Sequence, residues 1–354
     1  MDCFRIDESG YTGHDLLNPD QPFQGAAAIG INDDDAVRLI RTHFPSLKAT
    51  ELKYRALSRR PANHPRLLGL LRDVLTERRC VTYVCDKRYL LILMFLNYAT
   101  EPWYYERGVN FYEGGQNYTM ASALFRAGPS VLGREAFEAL LVAFQEAVKV
   151  KNPASLDQLV KAARQTRWRE FPEAIGPLAQ YAAPECLDAI ATPGVTTDAT
   201  FVVLVALITR LEAMSTAPYQ VEHDQSKNLT RYHSLLGQFI SHTDEASFRQ
   251  SEIATLSFPL KLTAVTQVDS RSSPAVQLAD VLIGAVIEAT SVLSGRRQSG
   301  LAPDSLLPLF ADDQLIHLLP DHDLEAEVRF RRGSQGAELI EYLARNFRMS
   351  PSKA

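Results

Sequence analysis

Apolar positions along this chain recur with two periods, two residues in short stretches and about 3.6 in long ones. Several of the short stretches end in acid. Residues 3–6 begin as a strand and run into Asp7-Glu8-Ser9-Gly10, where carboxylates disfavour the strand and Gly10 permits a turn. Residues 26–31 are small and apolar throughout and predict a second strand. Asn32 to Asp35 supply an N-cap and first-turn acids for a helix over 36–44, stopped by Pro45. Residues 50–54 alternate polar and apolar, which predicts another strand. Pro65 opens a helix to about Arg78 with Leu67, Leu68, Leu71, Val74 and Leu75 on one side. Residues 80–85, β-branched and aromatic, predict a strand ending at Asp86.

From Tyr89 to about Met214 the pattern is almost wholly helical, with helices expected at 121–125, 134–149, 155–165, 175–182 and 200–214. Trp103, Tyr104, Tyr105, Phe111, Tyr112 and Tyr118 crowd around Gly108, Gly114 and Gly115, as a packed loop or as a platform for stacking bases. Strand character resumes at 219–224 and again ends in acid, at Asp224. A helix over 229–242 and a strand over 260–268 follow. Asp269-Ser270 ends that strand, and Ser273-Pro274 is a good start for a helix over 275–293. That helix is apolar nearly all round, so it is expected to be buried. Beyond Gly295 come a polar loop, a strand at 325–330 and a short helix at 338–347.

A length of 354 residues allows one large domain or two ordinary ones, and 46% hydrophobic with 22% charged residues is a globular composition. The polar start at Asp2 and Arg5 lacks the apolar stretch of a signal peptide. The longest apolar runs, 89–96 and 201–208, are far shorter than the roughly 20 residues of a membrane span. Cys3, Cys80, Cys85 and Cys186 form no CxxC or CxxH pair, so zinc is not expected and a reducing, cytoplasmic setting is. A net charge of -5 argues against bulk electrostatic capture of nucleic acid and makes any phosphate-binding surface local. Candidate patches are Lys53-Tyr54-Arg55 with Arg59, Arg60 and Arg66, then Arg164-Arg167-Arg169, Arg296-Arg297 and Arg329-Arg331-Arg332. Taken singly, each reads more simply as a solvated basic turn.

The candidate chemistry is acidic. Strand ends deliver Asp7-Glu8, Asp86, Glu222 with Asp224, and Asp269, while Glu51 sits within a short predicted strand. Asp280 lies inside the apolar helix, where an unpaired carboxylate costs several kcal/mol, so it needs a metal, a cation across the core or a firm hydrogen bond. Gln277, three residues earlier on the same face, is placed to orient it. Acids on strand ends together with one on a late helix suit two-metal phosphoryl chemistry with Mg²⁺ or Mn²⁺. No G-x-S-x-G, Walker lysine motif or G-x-G-x-x-G occurs, and His223 has no H-E-x-x-H companion, which leaves it a structural or supporting residue.

The I-D-E-S-G start, E-L-K at Glu51 to Lys53, the strand ending at Asp224 and Q-L-A-D at Gln277 to Asp280 resemble the family catalogued as domain of unknown function 3800. The resemblance implies an α/β fold, a ribonuclease H-like mixed-sheet core with helices on both sides. It covers roughly residues 1–90 and 216–293. The expected division is a core of 1–90 and 215–295, a large helical insertion at 91–214, and a C-terminal extension at 296–354. The metal-binding and catalytic residues it implies are Asp7, Glu51, Asp224 and Asp280, with Glu8, Asp86 and Asp269 in reserve. Lys53 and Lys227 are close enough in sequence to the acids to contact a substrate phosphate. The function implied is metal-dependent cleavage of DNA or RNA, in defence against mobile elements or in processing them, with a partner protein or a second copy of the chain compatible with it. Two other readings stay open: an inactive scaffold for a protein or nucleic acid, and a hydrolase of small nucleotides with an enclosed pocket.

Overall fold

A computed structural model describes residues 2–47 and 51–347. The first part of the chain forms β1 (Asp2–Ser9), β2 (Phe23–Gly30), α1 (Asp33–His43), α2 (Tyr54–Ser58), α3 (His64–Glu77) and β3 (Arg79–Asp86). Only helices follow in the next stretch: α4 (Lys87–Ala99), α5 (Glu101–Tyr105), α6 (Gln116–Val131), α7 (Arg134–Val150), α8 (Pro153–Gln165), α9 (Pro172–Ala179), α10 (Pro184–Ala191) and α11 (Thr200–Met214). The chain then returns through β4 (Tyr219–Asp224), α12 (Lys227–Thr230), α13 (His233–Ser241), β5 (Ala246–Arg249), β6 (Thr255–Phe258) and β7 (Leu262–Val268). Last come α14 (Pro274–Leu293), α15 (Pro303–Leu306), β8 (Leu315–Leu318), α16 (Leu324–Phe330) and α17 (Gly336–Asn346).

The architecture is α/β, with a mixed six-stranded sheet in the order β7-β4-β1-β2-β3-β8 and a separate β5–β6 hairpin. β1 pairs parallel with β4, β4 with β7 and β3 with β8, while β2 is antiparallel to both its neighbours. Every strand of the sheet except β2 therefore points the same way. The carboxyl ends of β1, β3, β4 and β7 share one edge, and this is where their terminal acids collect.

Strand alternation divides the core into two layers. Phe4 and Ile6 of β1, Ala26 and Ala28 of β2, and Val81, Tyr83 and Cys85 of β3 pack against α4 to α11. Ala27, Ile29 and Cys80 face the other way, into a layer built with α1, α2, α3 and α14. The apolar run of β2 thus reflects burial on both faces. Ser273 caps α14 by accepting from the Val276 N–H, Pro274 opens it, and most of its side chains are buried. By length and composition this helix suffices to cross a membrane, more than the runs read from sequence. Its apolarity is accounted for by its seat against the sheet, with Leu278, Ala279, Leu282 and Ile283 fully enclosed.

One close approach fixes α2 on α14. A Cβ built at Gly284 would lie 2.6 Å from the Cβ and ring carbons of Tyr54. Gly284→Ala is expected to lower stability by about 1–3 kcal/mol, the usual range for overpacking. A denaturation midpoint matching that of the unmodified protein would show that α2 yields instead.

Four sequence expectations change. β1 runs on through Asp7 and Glu8 to Ser9, in place of the turn expected from Asp7, because these residues pair with Ala27 and Ala26 of β2. Residues 51–53 form no strand, and Tyr54 already opens α2; the alternation at 50–54 arises because Leu52 and Tyr54 are buried while Glu51 and Lys53 are half-buried. Thr50 lies outside the described residues. The strand expected at 325–330 is helix α16, whose start is capped by Asp323 accepting from the Ala326 N–H, with Glu325 and Glu327 in its first turn. The helix expected over 229–242 is interrupted at Arg231-Tyr232, giving α12 and α13. β8 and the β5–β6 hairpin, four residues per strand, are too short for a periodic signal.

Candidate active site

Alternation along β1 turns Asp7 toward α14 and Glu8 toward the opposite layer. The parallel register pairs Ile6 with His223, so Asp7 and Asp224 stand next to one another on adjacent strands. Asp7 is 6% exposed, and its Oδ1 accepts from the Glu8 N–H at 2.8 Å. Asp224 Oδ1 accepts from the Gln225 N–H at 2.8 Å and the Ser270 N–H at 3.0 Å. From α14, Asp280 Oδ2 accepts from the Tyr54 N–H at 2.8 Å.

Glu51 is brought in by loop contacts. Its Oε1 accepts from the Ser270 hydroxyl at 2.8 Å and meets the Lys53 ammonium at 3.0 Å. Gln277 clasps both segments: its Oε1 accepts from the Leu52 N–H at 2.7 Å and its Nε2 donates to the Ser270 carbonyl at 2.6 Å. Gln277 thus holds the loops that carry Glu51 and Ser270, in place of the expected role of orienting Asp280. Tyr54 completes the arrangement, its hydroxyl donating at 2.9 Å to Glu288, which also pairs with Arg297 at 2.6 Å.

The electrostatics follow from this packing. Burial pushes the Asp7 carboxyl well above the usual carboxylate range, the charge of Asp280 adds to the shift, and Lys53 and the Glu8 N–H oppose it. Asp280 is raised chiefly by burial, against the Tyr54 N–H and Lys53. Glu51 is held low, first by the Ser270 hydroxyl and then by Lys53. For Lys53, burial acts downward, but contact with Glu51 and the charges of Asp280 and Asp7 raise it overall. Asp7, Glu51, Asp224, Asp280 and Lys53 therefore share one electrostatic neighbourhood. Among the described residues, no three carboxylate, imidazole or thiol groups are already closed around a metal-sized point.

The other acids are engaged elsewhere. Glu8 accepts from the Ser226 hydroxyl at 2.6 Å and Asn228 Nδ2 at 3.0 Å, bracing the turn after β4. Asp86 caps α4 through the Tyr89 N–H and pairs with Arg296 at 2.9 Å, two strands away from Asp7. Hydrogen bonds from Arg271 hold Asp269 down to about 2, and Glu222 pairs with Arg5 at 2.8 Å. Lys227 starts α12, but its side chain lies outside the described residues. His223 is buried behind the site, its Nδ1 within 2.6 Å of the Asp224 carbonyl and its Nε2 within 2.6 Å of His233 Nε2. In the aromatic segment, Trp103 stacks on Tyr181, Tyr104 on Phe111, and Arg107 lies over Trp103, so these rings pack on one another.

No protein-family model matches this chain, and no curated protein or solved structure matches it either. The functional reading accordingly stands on the site itself. Ser270 and Tyr54 are the members that sequence reasoning passed over, because neither a serine after a strand nor a tyrosine after a lysine carries a distinguishing pattern.

Proposed function

We propose that the protein is a divalent-metal-dependent nuclease with a ribonuclease H-like core, hydrolysing phosphodiester bonds of DNA or RNA. The observation that carries this reading is the convergence of Asp7 and Asp224, on adjacent strand ends, with Asp280 of the buried helix. Two of the three carboxyls, Asp7 and Asp280, are raised by burial and by the charges of neighbouring carboxylates, the condition that a divalent cation relieves. The all-oxygen donor set fits Mg²⁺ or Mn²⁺. A mixed sheet with acids at its carboxyl edge and helices on both faces agrees with the family resemblance.

When bound, the metal supplies an activated water and neutralises charge on the phosphate. The chain contributes the rest. Asp7, Asp224 and Asp280 offer hard oxygens, and Ser270 and Gln277 hold Glu51 beside them. Lys53 presents an ammonium to a substrate phosphate. A cytoplasmic role in defence against mobile elements suits such an activity.

A hydrolase of small nucleotides would place its acids in an enclosed pocket. Among the described residues a cavity of about 710 Å³ lies between α4, α11, β8 and α16, and none of the four acids lines it. Cleavage of labelled single- and double-stranded DNA and RNA with Mg²⁺, Mn²⁺ or EDTA tests the proposal. Inactivity on every substrate would favour the scaffold.

Proton competition offers a second test. A raised carboxyl stabilises the metal-free fold at low pH, and that stabilisation is lost as pH rises through the raised value. Cation binding needs the ionised forms of Asp7 and Asp280. Mg²⁺ is therefore expected to raise the melting temperature at about pH 8 and to lose that effect toward about pH 5. A shift independent of pH would place the cation elsewhere.

A further inference from the structure

Residues 52–72 carry Lys53, Arg55, Arg59, Arg60, Arg66 and Arg72 without a single Asp or Glu. In a chain with 42 acids among 354 residues, one acid at about every eighth position, such a stretch is a local reversal of charge. The structure places it beside the carboxylates. Tyr54, the first residue of α2, is tied to Asp280 through its N–H and to Glu288 through its hydroxyl, and it packs on Gly284. The turn beyond is braced as well: Asn63 Nδ2 donates to the Leu57 carbonyl at 3.1 Å, and His64 Nε2 lies 2.8 Å from the Ser58 carbonyl.

While Tyr54 and Leu57 face the core, Arg55, Arg59, Arg60 and Arg66 are exposed. None of the four has an ion-pair partner among the described residues, in contrast to Arg5, Arg78, Arg79 and Arg296. Among the described residues nothing pairs with these cations, while hydrogen bonds from Asn63 and His64 brace the turn that carries them.

We infer that this arginine turn binds the sugar-phosphate backbone of a nucleic-acid strand across several phosphates beside the acidic site. It rests on the phosphodiester reading above and makes the substrate a polymer instead of a mononucleotide. Guanidinium groups suit this because each donates two parallel hydrogen bonds to phosphate oxygens. Contacts of this kind carry no base information, so affinity follows backbone charge and falls with salt.

The test uses the full chain carrying Asp7→Asn, in EDTA, so that binding is read without cleavage. Fluorescence anisotropy with labelled oligonucleotides of roughly 20 residues, as single-stranded DNA, duplex DNA and RNA, is measured across a salt series. Replacing Arg55, Arg59 and Arg60 together by Ser is expected to reduce the slope of log affinity against log salt by about 2–3, with a similar loss on every base sequence. The matching triple replacement by Lys should retain most of the slope, and thermal melting should show all variants folded. An unchanged slope in the Ser variant would overturn the inference while leaving the nuclease reading intact. Failure of the Asp7→Asn protein to bind any polymer would overturn it too; the nuclease reading is then judged separately, by metal-dependent hydrolysis of a dinucleotide by the unmodified protein.

Discussion

Replacing Asp7 by Asn is expected to abolish metal-dependent cleavage and, in the same protein, to stabilise the metal-free fold. The two effects have one cause. Asp7 is almost fully buried at the end of β1, beside Asp224 and facing α14, where Asp280 adds a second negative charge. Without a cation, the Glu8 N–H and Lys53 are what stabilise this carboxylate among the described residues. Asn keeps the size and an oxygen acceptor while removing the charge, so the apo protein should gain about 0.5–2 kcal/mol, the usual yield of one stabilising substitution. The amide is a much weaker ligand for a hard cation, and two metals sharing the site would be under-neutralised. The activity loss should exceed the about 10–100-fold typical of residues one step removed from a metal. Single-turnover cleavage with Mg²⁺ and thermal melting in EDTA, run on both proteins, read the two effects separately. Equal activity would remove Asp7 from catalysis, and a lower melting temperature would refute the electrostatic account of the site.

Gln277→Ala should lower stability and metal affinity together. Its side chain joins the Leu52 N–H to the Ser270 carbonyl, both groups within the protein interior. Ala serves neither; the Ser270 carbonyl keeps the Ser273 N–H at 3.2 Å, but the Leu52 N–H is left without a partner among the described residues, which costs about 1–3 kcal/mol. A total loss of roughly 1–3 kcal/mol is expected, after some relaxation of the loops. Glu51 and Ser270 then lose their common anchor, so metal affinity should also fall by about 10–100-fold. Denaturant unfolding and calorimetric Mg²⁺ titration measure the two consequences. Gln277→Glu retains the acceptor for Leu52 but faces the Ser270 carbonyl with a second acceptor, so it should rank between Ala and the unmodified protein. Full stability in the Ala variant would mean that the two loops are held by other contacts.

Local sequence alone marks β2 and α14 by unbroken apolarity, β3 by β-branched and aromatic residues, α1 by its cap and α3 by one periodic apolar side. It also singles out Asp280, since a carboxylate within an apolar helix stands out against any neighbours. Between strand-end acids it does not discriminate. Asp86 and Asp224 have the same local signature, yet β3 and β4 lie on opposite sides of β1 and β2 in the sheet, and only Asp224 comes to stand beside Asp7. Nor does local pattern say which of Asp7 and Glu8 faces α14, because that depends on which face of β1 the helix covers. Glu51 shows the limit most clearly: its alternation suggests a strand, while its actual place is set by Ser270 and Gln277, more than two hundred residues away. Backbone period is a property of neighbouring residues and is written in their order. Strand partners, faces and loop anchors depend on contacts between distant segments, whose free energies exist only once the chain has folded.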